Sequence, residues 1–170
     1  ASYLGFIPGA AALGDLSRIE TLWARAKGRF GAGGPWLFGR YTVVDAFFAP
    51  VATRIATYDL PVSTETLEYV KAHLSDPAFR RWRAMGEAER RIQPSYVRSH
   101  PQRAWPGPAP RRAALAEGPS ANDACPYCGE PVTAFLEVDG RIWGFCNAFC
   151  RDKTLADPEA WPAFMAMVTH

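Results

Sequence analysis

The four cysteines of this chain all fall in one short C-terminal stretch, as Cys125-x-x-Cys128 and Cys146-x-x-x-Cys150. Between the two pairs, the segments VTAFLEV and RIWGF are joined by Asp139-Gly140, a dipeptide typical of a two-residue hairpin turn. A helix is expected to begin at about Ala148. One pair then lies on a turn before a hairpin, and the other spans the hairpin's end and the first turn of a helix. This layout predicts that four thiolates converge on one ion.

Zinc is the ion that this pattern favours, because four thiolates at about 2.3 Å make a closed tetrahedral zinc site. Disulfides require an oxidising compartment, and no export signal is recognisable in the sequence. A thioredoxin-like CxxC begins a helix within a βαβ unit, whereas this one precedes a hairpin. Another metal such as iron, and a redox role, stay open as alternatives. A closed shell has no position for water or substrate, so hydrolytic zinc chemistry is not expected.

Residues 123–170 are too few to build a self-sufficient core, and structural zinc can contribute on the order of 10 kcal/mol to folding. Three nearby cations could offset the negative charge of a zinc–thiolate centre, or could be ordinary surface residues: Arg141, Arg151 and Lys153. The histidines show no ligand spacing and are expected to be solvated: His73, His100 and His170. Asp157-Pro158 is expected to open a final helix whose packed face carries Trp161, Phe164, Met165 and Val168.

The first half of the chain has the periodicity of amphipathic helices. Between Asp15 and Phe30, one apolar face is formed by Leu16, Ile19, Leu22, Trp23, Ala26 and Phe30. Thr42 followed by Asp45 has the form of a capping box ahead of a helix that is expected to be the most buried element, with Pro50 inside it. Its apolar positions are Phe47, Phe48, Val51, Ala52 and Ile55. We interpret Asp45 as a structural cap and not as a catalytic carboxylate.

Two further helices are expected before the composition changes. One runs from Thr64 to Leu74 after the cap Ser63, with Leu67, Val70 and Leu74 facing inward. The next begins after Asp76-Pro77 and extends to about Arg91, with Phe79, Trp82 and Met85 on its inner face. The sequence therefore divides into a helical domain at 1–94, a Pro/Arg/Ala-rich linker at 95–122 and a four-cysteine domain at 123–170.

Charge and hydropathy exclude several classes of function. The formal net charge is only +2, although nine arginines stand against two acids between Arg80 and Arg112. Such a stripe is more often a solvated helix face than a nucleic-acid site, so nucleic acid is an unexpected partner. No run of about 18 apolar residues is present, so no membrane span is expected. The chain lacks an initiator Met, and we expect it to be part of a longer protein.

The helical half resembles the C-terminal domain of bacterial glutathione transferases. The resemblance covers about residues 12–90, and its most specific part is Trp36-Leu37-Phe38-Gly39 leading into Thr42-Val43-Val44-Asp45. It implies a helical bundle whose central helix starts with this capping box. In that family the glutathione site and the activating residue lie in an N-terminal thioredoxin-like domain, and no βαβ pattern precedes Asp15. Glutathione is thus expected as a cofactor only if such a domain exists in the full-length protein, and no catalytic residue is assigned.

Within the same helix, Arg54 and Tyr58 lie one turn apart and could line a substrate pocket. Interhelical packing and a surface salt link are the favoured interpretation of both residues. No turnover is expected from this chain alone.

The cysteine segment is similar to the YHS and TRASH group of small treble-clef metal domains, over residues 124–168. The shared features are the Cys-Gly turn, the Gly-Phe-Cys lead into the second pair and the Asp-Pro-Glu stretch. Some members of that group are thought to sense or carry heavy metals, and others are structural. The expected fold is therefore mainly α: a transferase-type helical bundle followed by a small α+β zinc domain.

Three functions remain from the sequence. The first is a glutathione-transferase-like protein with an appended structural zinc module. The second is a non-enzymatic zinc-dependent interaction module, and the third is a heavy-metal sensor or chaperone. A homodimer or another protein partner is expected to use the helical domain, and the cytoplasm is the expected compartment.

Overall fold

The computed structural model describes residues 2–31, 33–97 and 99–169. These residues form a mixed α+β fold with six α-helices and two small antiparallel sheets. The chain divides into two compact units. The helical unit comprises residues 1–76 and 98–108, and the cysteine unit comprises residues 77–97 and 109–170. In the described residues, no helix is long and apolar enough to cross a membrane.

The helical unit contains α1 (Ala10–Phe30), α2 (Val43–Tyr58) and α3 (Thr64–Ser75). A two-stranded sheet pairs β1 (Ser2–Tyr3) with β2 (Gln102–Arg103). The β2 strand lies in the segment that the sequence predicts to be linker. Its residues thus close the helical unit by pairing with the N-terminal strand.

Thr42 and Asp45 form a capping box at the start of α2. The Asp45 carboxylate accepts hydrogen bonds of 2.8 Å from both the backbone N–H and the hydroxyl of Thr42. It also accepts one from the Leu37 backbone and one from the Tyr69 hydroxyl. Burial raises the pKa of Asp45, but these hydrogen bonds outweigh it, so the net effect is a lowered pKa. The fully buried carboxylate therefore joins α2, α3 and the preceding loop.

The apolar faces of these helices differ in part from those expected. Leu16 and Trp23 of α1 are buried, whereas Leu22 and Phe30 are more than half exposed. In α2, Ala52 and Ile55 are buried, but Phe47 is 78% exposed. In α3, Val70 and Leu74 are buried, whereas Leu67 is exposed and Thr66, Tyr69 and His73 take the remaining inner positions. The expectation that α2 is the most buried element is wrong, because α3 buries more of its residues than α2 does.

His73 is 1% exposed, so the prediction that it is solvated is wrong. Its ring packs edge-on against Tyr69 at 4.6 Å and Trp36 at 5.1 Å between ring centroids. Burial lowers its pKa, although the nearby carboxylates of Asp45 and Asp76 act in the opposite direction. His100 is half-buried, with Phe6 at 5.8 Å, and His170 lies outside the described residues.

The cysteine unit contains a three-stranded antiparallel sheet in the order β3 (Ala113–Ala116), β4 (Ala134–Val138) and β5 (Arg141–Phe145). Asp139 and Gly140 both have positive φ, as a tight turn between β4 and β5 requires. The helices α4 (Pro77–Glu89), α5 (Ala148–Ala156) and α6 (Pro162–Val168) belong to this unit. Its core is formed mainly by Ala84, Leu136, Val138, Trp143, Phe145, Trp161 and Phe164.

The outer edge of β5 is covered by a side chain. Asn122 donates from Nδ2 to the Gly144 carbonyl at 2.9 Å and accepts from the Gly144 N–H at 2.8 Å. The Ala121 N–H donates to the Ile142 carbonyl at 2.8 Å. Glycine is needed at 144, because a Cβ there would lie 2.7 Å from Ser120 and Val132. The segment around Asn122 therefore pairs with β5 as a neighbouring strand would.

The sequence predicts a helical domain that extends to residue 94 and so includes α4, but the structure places α4 in the other unit. This helix groups with the cysteine unit, where Phe79 and Ala84 are buried and Met85 packs against the core. Trp82, which the sequence places on the inner face, is 58% exposed. A two-bond ion pair contributes to this grouping: Arg80 donates to Asp157 from Nε at 2.7 Å and from a terminal nitrogen at 2.6 Å.

Two further differences concern elements near the cysteines. The expected linker contains β3, which pairs along its whole length with β4. The expected final helix is divided: a 3-10 turn at Pro158–Ala160 precedes α6, which has Pro162 in its first turn. Trp161 lies between them and is buried, as is Phe164, while Met165 and Val168 are half-buried.

Candidate metal centre

The first cysteine pair lies on a tight knuckle ahead of the sheet. The Cys125 N–H donates to the Glu130 carbonyl at 2.8 Å, and the Gly129 N–H donates back to the Cys125 carbonyl at 2.9 Å. Gly129 has a φ of 76°, a conformation that glycine adopts without strain. The chain thus reverses directly after Cys128, which brings both thiols of this pair to one side of the turn.

The second pair is positioned by the end of β5 and the start of α5. Cys146 directly follows β5, and Cys150 lies in the first turn of α5. Asn147 caps this helix, since its Oδ1 accepts from the Cys150 N–H at 2.9 Å. Its Nδ2 donates to Cys146 Sγ at 3.3 Å. One side chain therefore orients both cysteines of the pair.

The sulfurs of Cys125, Cys128 and Cys146 form one cluster, and that of Cys150 lies beside Cys146. Cys146 Sγ lies 3.4 Å from Cys128 Sγ and 3.7 Å from Cys150 Sγ. The sulfurs of Cys125, Cys128 and Cys146 all lie within 4.8 Å of one another. A tetrahedron with sulfur about 2.3 Å from its centre has edges of about 3.8 Å, so these separations suit one enclosed ion. All four cysteines are free thiols, and the cluster is a possible metal site.

The thiols have different electrostatic environments. Burial raises the pKa of Cys125, but hydrogen bonds from the backbone N–H groups of Cys146 and Tyr127 outweigh it and bring the pKa to about 7. The hydrogen bond with Cys128 raises the pKa of Cys146 to about 12. Burial raises the pKa of Cys150, and the charge of Lys153 partly offsets this. Among these three thiols, negative charge is therefore favoured most on Cys125.

Of the three cations near the cysteines, Lys153 lies close enough to the cluster for its charge to lower the pKa of Cys150. Its Nζ lies 3.9 Å from the ring centre of Tyr127 and 4.3 Å from that of Trp161. Arg141 lies over Trp143, and Arg151 pairs with Asp152 at 2.8 Å. The aromatic faces hold the ammonium group next to the knuckle, because Tyr127 lies between the first two cysteines.

Sequence reasoning missed two residues that position the site. Asn147 precedes a predicted helix start, and this is the usual signal for an N-cap. Tyr127 contacts Phe145 and Trp161, and its hydroxyl bonds to Thr154. Thr154 in turn donates to the Cys150 carbonyl at 2.8 Å. The sequence carries no comparable signal for this second network, because its members come from four separate parts of the chain: the knuckle, β5, α5 and the segment before α6.

Arg54 and Tyr58, the two residues that could line a substrate pocket, lie elsewhere in the helical unit. Arg54 is exposed, and Tyr58 is half-buried against Tyr3 and Phe6, with ring centres at 5.8 and 5.0 Å. A cavity of about 330 Å³ in the helical unit is lined by residues of α1, α3 and the loops before α2 and α3, including Trp23, Leu37 and Tyr69. Neither Arg54 nor Tyr58 is among its lining residues.

Comparison of the chain with family models, with curated proteins and with solved structures gives no match.

Proposed function

We propose that the cysteine unit is a structural zinc module in which Cys125, Cys128, Cys146 and Cys150 hold one zinc ion. The observation that carries this proposal is the S···S spacing of 3.4 and 3.7 Å around Cys146, close to the edge of a zinc–thiolate tetrahedron. Four thiolates complete the shell, so the ion would supply folding free energy and no open coordination position.

The rest of the site supports this donor set. The backbone N–H groups of Tyr127 and Cys146 and the Asn147 amide stabilise negative sulfur, and Lys153 adds a positive charge nearby. The ligands belong to a knuckle, a strand end and a helix start, so one ion would join three elements of a small unit. Free thiols also require a reducing compartment, and we propose the cytoplasm.

Metal analysis of the purified full chain tests the proposal. We expect one zinc per chain by mass spectrometry under non-denaturing conditions, with the ion retained for hours in a mild chelator. Removal under strong chelation is expected to raise amide exchange across residues 123–170. A chain that purifies in the reduced state without metal, and does not bind added zinc stoichiometrically, would contradict the proposal.

For the helical unit we propose an origin in the C-terminal domain of glutathione transferases. The specific support is the Thr42–Asp45 capping box at the start of α2 together with the complete burial of Asp45. Glutathione chemistry would then belong to a thioredoxin-like domain of the full-length protein. The present residues would contribute a supporting surface, with no turnover of their own.

Glutathione-affinity retention tests this assignment. We expect this chain alone to pass through the column and a full-length protein with a thioredoxin-like domain to be retained. Failure of that full-length protein to bind would favour a non-enzymatic interaction module. Retention of the isolated chain would contradict our division of roles.

We also propose that the helical unit self-associates through the exposed apolar side of α2. Val43 and Phe47 lie one turn apart on this helix and are 68% and 78% exposed. Sedimentation of the wild type and of Phe47→Glu compares the dimer populations. An unchanged monomeric profile for both proteins would contradict this proposal.

A further inference from the structure

The four sulfurs of the cluster differ in their access to solvent. Cys125 is buried at 3% exposure, Cys146 and Cys150 are half-buried, and Cys128 is exposed. Susceptibility of a cysteine to oxidation follows its thiolate character and its exposure. In a zinc-bound site all four sulfurs are thiolates, so exposure decides which one an oxidant from solution meets first.

We propose that Cys128 is a peroxide-reactive site and that Cys146 is its resolving partner. This inference rests on the proposed zinc function. Cys146 Sγ is 3.4 Å from Cys128 Sγ, whereas it is 3.7 Å from Cys150 Sγ. Cys146 is also the less accessible of the reacting pair, and its sulfur accepts a hydrogen bond from Asn147, which lowers its reactivity toward an oxidant in solution.

The chemistry uses hydrogen peroxide as the oxidant. The Cys128 thiolate attacks one peroxide oxygen, the O–O bond breaks, and a sulfenic acid and hydroxide are formed. The Cys146 thiolate then attacks the Cys128 sulfur, which forms the S–S bond and expels a second hydroxide. The two sulfurs together lose one electron pair, and the peroxide gains it. No further oxidant or co-reactant is required.

The disulfide would change the metal site and the start of α5. Two of four thiolates are consumed, and the remaining pair, Cys125 and Cys150, cannot complete a closed zinc shell. Zinc would leave, and Cys150 in the first turn of α5 would lose its link to the knuckle. Reduction of the disulfide would restore all four ligands. The site would thus release zinc reversibly in response to peroxide.

The test uses the full chain, loaded with one zinc and kept without oxygen. Peroxide is added in equimolar amount, and released zinc is followed with a colorimetric chelator. We expect release of about one zinc per disulfide, reversed by dithiothreitol and added zinc. Trypsin cleaves after Arg112, Arg141 and Arg151, so Cys125 and Cys128 fall in one peptide and Cys146 and Cys150 in the next. The proposed disulfide therefore links two peptides, and fragmentation identifies Cys128.

Two matched variants separate the effect of removing the exposed sulfur from the effect of replacing any one cysteine ligand. Cys128→His and Cys150→His each keep a four-ligand set, because histidine is an ordinary zinc ligand. We expect Cys128→His to release zinc at least about tenfold more slowly under peroxide than Cys150→His, which loses one cysteine ligand as well but keeps the Cys128–Cys146 pair. If either variant fails to bind zinc, the disulfide assignment in the wild type still decides the proposal.

The outcomes distinguish this inference from the zinc proposal itself. A reduced chain that binds no zinc overturns the zinc proposal, and with it the release. A chain that binds zinc but keeps it under excess peroxide overturns only the oxidation site. The oxidation site is also overturned by a disulfide confined to one tryptic peptide, or by a Cys128→His variant that loses zinc as fast as the wild type.

Discussion

Arg80 of α4 and Asp157 after α5 form a two-bond ion pair with N···O distances of 2.7 and 2.6 Å. The Asp157 side chain is 9% exposed and that of Arg80 is 18% exposed. Burial of the carboxylate makes the pair sensitive to the loss of one partner, because the other charge would remain in a poorly solvated place. The ion pair links α4 to the segment that directly follows α5.

We expect Arg80→Ala to lower the free energy of unfolding of the zinc-loaded chain by about 2–4 kcal/mol. Amide exchange should accelerate in the peptide that covers α4. The matched control is Glu87→Ala, which removes the pair with Arg83 within the same helix. Because that pair is more exposed, the control should cost less than about 1 kcal/mol. Equal effects of the two substitutions in denaturant titrations would contradict this account.

The second prediction concerns the buried carboxylate of the helical unit. Asp45→Ala would leave four donors without their acceptor, including the Tyr69 hydroxyl and the Leu37 N–H. We expect a loss of about 3 kcal/mol or more in the free energy of unfolding. Tyr69→Phe removes one of these bonds and should cost about 1–2 kcal/mol. Thr42→Ser keeps the hydroxyl and serves as the control, with a smaller loss than either.

The third prediction is a pH dependence that arises from His73. Its pKa is lowered in the folded state by burial, so the unfolded chain takes up a proton at a higher pH than the folded chain. The neutral ring therefore contributes stability that is fully present above the unfolded pKa, about 6.5, and is lost as the pH falls below that value. For one group the slope is at most about 1.4 kcal/mol per pH unit.

Urea unfolding of the wild type and of His73→Phe at two pH values measures this contribution. The two values, about pH 7.5 and about pH 5.5, lie on either side of the unfolded pKa of histidine, about 6.5. Phenylalanine keeps the ring packing against Trp36 and Tyr69 and cannot take up a proton. The wild type should lose more stability than the variant between the two conditions. An identical loss would assign the acid sensitivity to other groups, the cysteine cluster among them.

The fourth prediction concerns Lys153. Lys153→Met keeps an apolar stem between Tyr127 and Trp161 but removes the charge beside the thiolates. Loss of a cation–π contact of about 1–2 kcal/mol should speed zinc transfer to a chelator by about fivefold to thirtyfold. Lys153→Arg keeps the charge and should stay closer to the wild-type rate. Equal transfer rates for all three proteins would show that the ammonium group does not influence metal retention.

Local signals predicted the parts of the structure that are determined over a few residues. Asp139-Gly140 forms the turn between β4 and β5, and Thr42 and Asp45 form the capping box. The convergence of the cysteines followed from a knuckle, a hairpin and a helix start that are each short. In these cases the residues that set the geometry are the same ones that carry the sequence pattern.

Features that depend on distant parts of the chain were not predictable in this way. The four residues of β3 show no alternation, and they are a strand because β4 offers them a partner. His73 is buried because Trp36 and Tyr69 surround it. Tyr69 is its neighbour four residues earlier on α3, but the approach of Trp36 from the loop before α2 is not visible from helical spacing. The periodicity of α4 identified a helix but not the unit that contains it. It therefore put Trp82 on the inner face, whereas this side chain is exposed in the structure.

The amide of Asn122 has a consequence for how this protein behaves in a crowded solution. By occupying the N–H and C=O of Gly144, it leaves no template at that point for a foreign strand to extend the sheet. Growth of an intermolecular β-assembly would then have to start at the opposite side, along the short β3 strand. With Asn122 at the β5 edge, the sheet edge at which a foreign strand could pair is the β3 edge, which is four residues long.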